Sequence, residues 1–325
     1  MVNRMNTSLT IRALPLVFMG TAEMACASLR ALLQSDQFAV RAAVTQPDRP
    51  KGRDLKPQPS PVKKLALAAG LPLLQPEQAR DPAFLKRLAE FNPEVIIVAA
   101  YGQMLPQSIL DLPRLGCLNV HASLLPKYRG AAPIQWAILN NDPETGVTIM
   151  QMAAGLDTGG ILSQSATPIG PDETAASLHD RLAVLGAELL VSTLPRYAAG
   201  EITPKPQDEA RASYARKITK EDGRLDWLQS ALALRNRVRA FTPWPGAYAF
   251  WTCQGRRRLL KIWRAQTEPR QGRPGEVLQA DRAGLIIACG TDALRVDELQ
   301  PESARRMSAP EFLAGHELPP GAFLE

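Results

Sequence analysis

Asn119 and His121 are the residues of this sequence best placed to do chemistry together. They lie two apart in Cys117-Leu-Asn-Val-His121, a stretch that reads as a strand, so their side chains project from one face. They fall at its carboxyl end, where open α/β sheets bind ligands. An amide and an imidazole there can donate hydrogen bonds to a developing oxyanion, and the imidazole can also move a proton. A carboxylate would complete the set. Asp157, in the glycine-flanked stretch Gly155-Leu-Asp-Thr-Gly-Gly160, could hold the His121 ring or could simply cap its own turn. Spacing alone leaves both readings open. The other two histidines stand apart: His179 beside Asp180 in a helical stretch, His316 among prolines and a glycine.

The elements that must position these residues follow from hydrophobic pattern. Leu14 to Gly20 is an apolar strand, followed by a tight turn and a helical pattern through Met24, Leu29, Leu32 and Leu33. Ala39 to Val44 reads as a second strand, and Val95 to Ala100 as one buried on both faces. Val147 to Met152 reads as a further strand. Helices are expected over Pro61 to Ala69, Phe84 to Phe91, from Ile134 to Leu139 and over Thr174 to Leu194. This alternation predicts a Rossmann-like parallel α/β domain over residues 12–200. Residues 201–213, rich in proline and charge, read as a linker. Beyond them, Leu232 to Ala240 is helical. Five short segments then have strand character: Ala247 to Trp251, Arg258 to Trp263, Gly275 to Leu278, Leu285 to Cys289 and Leu294 to Leu299. Separated by turn residues, they predict a small OB-like β-barrel over 214–325.

Composition narrows the function classes. An apolar fraction of 45% over 325 residues excludes disorder and suits two domains. The formal charge of +6 admits an anionic partner without demanding one. Four scattered cysteines with no CxxC pair signal neither zinc nor redox chemistry. No apolar run approaches the roughly 20 residues of a membrane span, so a cytoplasmic protein is expected. Gly20-Thr21 lacks the further glycines of the dinucleotide fingerprint, which disfavours a nicotinamide oxidoreductase.

The block Asn119-Val-His-Ala-Ser-Leu-Leu-Pro126 with Arg129-Gly-Ala-Ala-Pro133, and Gly155-Leu-Asp-Thr-Gly159, resembles the folate-dependent formyltransferases. Within that family the methionyl-tRNA-specific members are matched by Gln46-Pro-Asp-Arg-Pro-Lys-Gly-Arg53 with Pro59-Ser-Pro-Val-Lys63, by Lys217 to Trp227, and by Arg239-Ala-Phe-Thr-Pro-Trp-Pro245. The resemblance covers nearly the whole chain. It implies Asn119, His121 and Asp157 as the catalytic set, with no metal. It also implies 10-formyltetrahydrofolate as co-substrate, near Tyr101, Gly102, Ser123, Leu124, Leu125 and Pro126. Initiator methionyl-tRNA is the implied acceptor, met by a C-terminal tRNA-binding domain and by Arg49, Lys51, Arg53, Lys56 and Arg239. The enzyme is expected to act as a monomer. One departure concerns the first turn, where the family's Gly-Thr-Pro followed by an aromatic is replaced by Gly20-Thr-Ala-Glu-Met24.

The segment from Gln46 to Pro61 carries prolines at 47, 50, 57, 59 and 61, and reads as a basic loop free of helix or sheet that orders against the acceptor stem. Arg53 is its expected key contact, because a guanidinium can bind phosphate or a base edge in two places. Further basic clusters, Arg235, Arg237 and Arg239 and then Arg256, Arg257, Arg258, Lys261 and Arg264, suit phosphate contacts. The competing readings are a sugar-nucleotide formyltransferase on the same catalytic domain and a catalytically dead RNA-binding protein. The basic loop disfavours the first and the intact Asn119, His121 and Asp157 disfavour the second.

Overall fold

The computed structural model describes residues 13–51, 56–253 and 255–325. In chain order the first elements are β1 (Leu14–Gly20), α1 (Glu23–Leu33), β2 (Phe38–Val44), β3 (Arg49–Lys51), β4 (Lys56–Gln58), α2 (Pro61–Ala68), β5 (Leu73–Leu74), α3 (Pro82–Ala89), β6 (Val95–Ala99), α4 (Gln107–Leu110) and β7 (Cys117–His121). There follow β8 (Arg129–Gly130), α5 (Pro133–Leu139), β9 (Glu144–Gln151), β10 (Ile161–Pro168), α6 (Ala175–Ala198), β11 (Tyr214–Ala215) and α7 (Ala231–Ala240). The remainder is β12 (Ala247–Cys253), β13 (Arg256–Glu268), β14 (Val277–Asp281), β15 (Gly284–Ala288), β16 (Ala293–Pro301), β17 (Met307–Ser308) and α8 (Ala309–Gly315). These pack as two compact units. The first takes the chain through Lys127 with Gly146–Ser165 and Arg181–Ala212; the second takes Tyr128–Thr145, Ala166–Asp180 and Ser213–Glu325.

The first unit is built on a seven-stranded sheet ordered β10-β9-β7-β6-β1-β2-β5. Five strands, β7 through β5, run parallel. Every residue of β6 is buried, because helices cover both faces. Val95, Ile97 and Ala99 join one apolar cluster with Leu16, Phe18 and Leu29, while Ile96 and Val98 join the other with Val17, Met19 and Leu88. Each side chain buried in this way stabilises the sheet by roughly 1.5–3 kcal/mol.

Three features depart from the sequence-based expectation. The sheet is mixed, since β9 runs antiparallel to β7 with Thr148 opposite His121 and Gln151 opposite Leu118. It also has an edge strand, β10, whose Ser, Gln and Thr residues give no apolar pattern to read. The proline-rich segment holds more order than expected as well. β3 and β4 form an antiparallel ribbon with Pro50 opposite Pro57. Facing each other, the two prolines fill the pair whose amides would point out of the ribbon, so no ladder bond is lost. Asp48 anchors its base, accepting from Lys63 Nζ at 2.7 Å and Gln75 Nε2 at 3.0 Å. These bonds, that to Lys63 first, hold the Asp48 carboxyl below its usual range. Residues 52–55, Arg53 among them, lie outside the described residues.

The second unit contains the antiparallel β domain. Its strands follow the order β12-β13-β16-β15-β14, with β17 paired to β16. Residues 321–325 pair with both edges: Glu325 exchanges hydrogen bonds with Phe250 on β12, and Leu324 and Ala322 bond to Gly275 and Val277 at the start of β14. The sheet therefore closes around a core that includes Trp251, Leu260, Ile262, Leu285, Leu294 and Phe312. α8 begins with a capping box in which Ser308 and Glu311 satisfy each other's backbone amides. His316 stacks on Phe312 at 4.5 Å and sits with Trp251, a packing role.

Candidate active site

β7 lies between β6 and β9, with Asn119 beside Val98 on one side and Met150 on the other. Asn119 and His121 share a strand face, and both meet one carboxylate. Asn119 Nδ2 donates to Asp157 Oδ1 at 3.3 Å, and His121 Nδ1 stands 3.6 Å from Asp157 Oδ2. Each carboxylate oxygen thus faces a different partner. The His121 side chain is 7% exposed and that of Asp157 14%, so the group sits in a partly dried cleft where electrostatic interactions are stronger than in water. Of the two roles left open for Asp157 by the sequence, the geometry shows its carboxylate facing the imidazole. Its backbone is left-handed, with φ of 52°.

The segment after β7 is clamped by a residue that hydrophobic pattern does not single out. Thr148, fully buried on β9, donates to the carbonyl of Ser123 at 2.6 Å and accepts from Leu125 N at 3.1 Å. Gln164 on β10 donates to the carbonyl of Leu125 at 2.8 Å and to Thr148 Oγ1 at 2.9 Å. Ser123 is buried and its hydroxyl is turned to the carbonyl of Lys127 at 2.6 Å. Leu125 is buried, while Leu124 and Pro126 are half-buried.

The strand ends beside β7 are cross-linked in the same manner. Thr21 Oγ1 and Gln46 Nε2 both donate to the carbonyl of Tyr101, at 2.8 and 2.9 Å. Thr21 N and Ala22 N both approach the carbonyl of Ala100, at 3.2 and 3.4 Å, so hydrogen bonds hold the first turn that carries alanine in place of the family's proline. Tyr101 is buried, which pushes its phenol up to about 12. Gly102 has φ of 84°, a backbone conformation that favours glycine, and Gln46 Nε2 lies 2.5 Å from where a Cβ would stand. Gly102 and Met104 are exposed, as is Leu156 next to Asp157.

The basic residues separate into two groups. Arg49 is exposed on β3, 3.8 Å from Glu77. The backbones of Lys51 and Lys56 pair in the ribbon. In the second unit Arg256, Arg257 and Arg258 are exposed on β13. Arg257 lies 3.9 Å over the Phe250 ring, and Lys261 and Arg306 lie over Trp263 at 5.8 and 5.3 Å. The arginines of α7 are different, and here the expectation needs correction. Arg239 is buried, donating to the carbonyls of Gly170 and Glu173 at 3.1 and 3.0 Å and to Asn236 Oδ1 at 2.7 Å. Arg237 donates to the carbonyl of Asp222, and Arg235 to Pro171 and Asp172. Burial pulls the Arg237 and Arg239 guanidinium groups below their ordinary range. These side chains satisfy loop carbonyls and are not presented to a phosphate. Lys217 to Trp227 is organised around Asp222, which takes both Arg216 amines and the Thr219 amide; the Arg216 pairing, above all, lowers its carboxyl well below the usual range. Among the described residues no group of three or more His, Cys, Asp or Glu is placed to hold a metal ion. No helix among them is long and apolar enough to cross a membrane.

A formyl transferase family profile matches residues 14–194, more than half of the chain, and a formyl transferase C-terminal domain profile matches 217–317. The chain belongs to the formyl transferase family. Its relatives include the methionyl-tRNA formyltransferase of Citrifermentans bemidjiense, 52% identical over 95% of this chain and 96% of that one. The protein of the same description from Myxococcus xanthus is 50% identical over 94% and 96%. Among solved structures, an N-formyltransferase of Helicobacter canadensis, in complex with folinic acid and dTDP-3-aminofucose, aligns with a TM-score of 0.64 at 18% identity, covering 87% of this chain and 99% of that one. HypX of Aquifex aeolicus bound to tetrahydrofolic acid aligns with a TM-score of 0.59 at 19% identity, over 94% of this chain but 48% of the longer HypX. At these identities the structural matches establish the formyl transferase fold.

Proposed function

We propose that this enzyme transfers the formyl group of 10-formyltetrahydrofolate to the amino group of initiator methionyl-tRNA, giving N-formylmethionyl-tRNA, and that it does so as a cytoplasmic monomer. The carrying observation is the single Asp157 carboxylate that meets both Asn119 and His121 at the end of β7. Near-full-length similarity to methionyl-tRNA formyltransferases supports the choice of acceptor.

The geometry suits acyl transfer to an amine. The amine nitrogen attacks the formyl carbon, the carbonyl oxygen takes up negative charge, and the bond from carbon to the folate N10 breaks as N10 gains a proton. Asn119 has two amide hydrogens. One faces Asp157, which leaves the second to donate to the oxyanion, an effect of about 3 kcal/mol for a well-placed donor. With Nδ1 towards Asp157, His121 carries Nε2 on the opposite side of the ring, as a donor to the oxyanion or to N10. Asp157 orients the ring and can accept the proton lost by the amine. The end of β6 suits the folate: exposed Gly102 and Met104, beside buried Tyr101, offer backbone and apolar contact to a flat heterocycle, next to the clamped segment Ser123, Leu124, Leu125 and Pro126. Arg49, Lys51, Arg53 and Lys56, all within the segment from Gln46 to Pro61, supply positive charge for the acceptor stem. The exposed arginines of β13, interleaved with Phe250 and Trp263, supply charge and ring faces for tRNA in the second unit.

The test is formyl transfer from 10-formyltetrahydrofolate to charged initiator tRNA, with an amino-sugar nucleotide as the alternative acceptor. The tRNA should be formylated and the nucleotide should not; the opposite preference overturns the assignment. Asn119→Ala, His121→Ala and Asp157→Ala should each slow single-turnover transfer by about a hundredfold or more while folate binding changes little. Arg53→Ala should reduce formylation of tRNA at subsaturating concentration while leaving folate binding intact.

A further inference from the structure

The loop that carries Asp157 has little structure of its own. It is left-handed at Asp157, and Gly155 before it has φ of 119°. Besides the Thr158 hydroxyl on the carbonyl of Ala154 at 3.3 Å and Gln151 N on the carbonyl of Gly160 at 2.8 Å, it is held from far along the chain, by residues 204–207, in a stretch that reads as a linker. Lys205 exchanges two backbone hydrogen bonds with Ile161, both of 2.8 Å. Pro204 packs so tightly on Gly160 that a Cβ there would lie 2.6 Å from it. Gln207 then extends the contact with its side chain: Nε2 donates to the carbonyl of Asp157 at 2.7 Å and to the carbonyl of Gly159 at 2.8 Å. A primary amide has two hydrogens on one nitrogen and can span two carbonyls in this way; among apolar or acidic residues of similar size none can.

We propose that Gln207 is the positioning residue for Asp157, fixing the carboxylate against Asn119 and His121 by gripping the backbone on both sides of Thr158. The proposal rests on Asp157 acting in transfer. Gln207 grips this loop by its backbone, so its effect on the chemical step is exerted through Asp157. Gln207→Met keeps the length and apolar stem and removes both donors. Gln207→Glu keeps the shape and sets acceptors against the two carbonyls. A carboxylate displaced by a few tenths of an ångström loses part of its contribution, where a full 1 Å costs about a hundredfold.

Single-turnover formyl transfer at saturating donor and tRNA, measured in the full-length chain, reads this out. Gln207→Met should slow the step at least about tenfold, and Gln207→Glu further, with KM for donor and tRNA within about twofold of the parent. In the Asp157→Asn background the same substitutions should have no further effect, because a residue acting only through Asp157 has nothing left to position. A wild-type rate for either soluble variant overturns the proposal, and so does an equal fractional loss in both backgrounds, which is the signature of general loosening. If neither variant folds, Gln207 holds the fold and not the carboxylate, and the proposal fails. A wild-type rate for Asp157→Asn alone would instead remove the reading of Asp157 on which the proposal rests, with Gln207 still free to be judged by its own variants.

Discussion

Replacing Gly159 by alanine is the sharpest way to move the Asp157 loop without touching any reacting group. A Cβ built on Gly159 falls 1.7 Å from the carbonyl oxygen of Gln151, 2.8 Å from its carbonyl carbon and 3.1 Å from the amide nitrogen of Ala153. All three are backbone atoms, and Gln151 on β9 is in register with Leu118 on β7, so no side chain can rotate away. Ordinary contact begins at 3.4 Å, which requires a separation of 3.4 − 1.7 = 1.7 Å. The sheet is the stiffer partner, so the loop takes most of that displacement and carries Asp157 with it. A shift above 1 Å costs about a hundredfold or more in rate. Overpacking of this kind costs about 1–3 kcal/mol in stability, which leaves a folded protein to assay. Gly159→Ala should therefore show a native circular dichroism spectrum, a modestly lower melting temperature, and single-turnover formyl transfer down by at least about two orders of magnitude. Gly315→Ala, where no atom lies within 4 Å of the added Cβ, is the control and should match the parent. A folded Gly159→Ala with the parental rate would show that Asp157 need not stand where it does, and the mechanism built on it would fall.

Three further outcomes follow from the geometry. Thr148→Val preserves shape but leaves the buried Ser123 carbonyl and Leu125 amide without their partner, so it should cost about 1–3 kcal/mol and raise KM for the folate donor more than it lowers kcat; unchanged unfolding and KM would refute the clamp. Arg239→Met strips donors from the carbonyls of Gly170 and Glu173, and should lower stability by about 2–3 kcal/mol in denaturant titrations; an unaltered midpoint with weakened tRNA binding would place this side chain outside after all. Glu311 is held at about 2, first by the Ser308 amide and then by Arg305. Its folded value lies below the ordinary 4.5, so its contribution is full above about pH 4.5 and fades as pH falls towards 2. Glu311→Gln should lower the melting temperature at neutral pH, with the gap to the parent closing over that window, and a gap that persists at pH 2 would contradict the capping box.

Legibility in the sequence follows the length and apolarity of each element. β6 is legible because an unbroken apolar run between turn residues has few other fates in an α/β chain; β7 is legible as a short strand in which a separation of two residues is enough to put Asn119 and His121 on one face. β10 is illegible because an edge strand can be polar. The direction of β9 is illegible because periodicity carries no information on which neighbour a strand will pair with. The ribbon at Pro50 and Pro57 is hidden because proline argues against strands only where its missing amide would have been used. The arginines of α7 have the spacing of a phosphate-binding row, yet Arg235 and Arg239 are consumed by loop carbonyls more than 60 residues away in sequence and Arg237 by the carbonyl of Asp222. Thr148, Gln164 and Gln207 are invisible as a class. A neutral side chain that supports a site by bonding to backbone has no motif, and only the fold brings it to its carbonyl.

The interleaving of the two compact units also has a bearing on synthesis. α5, with Ile134, Ala137 and Ile138 buried, packs against α7 in the second unit, yet 91 residues separate the end of the one at 139 from the start of the other at 231. At about 5–20 residues per second, α5 waits roughly 5–20 s after it is made before its partner exists. During that interval an apolar helix face is exposed on the nascent chain, and β8 likewise lacks the strand it will pair with, β11. Vectorial folding of the first unit must therefore proceed around a segment that cannot yet be stowed. A ribosome that stalls between the two helices would hold the chain at its stickiest, which makes the stretch from 140 to 230 the span over which a nascent-chain chaperone has most to cover.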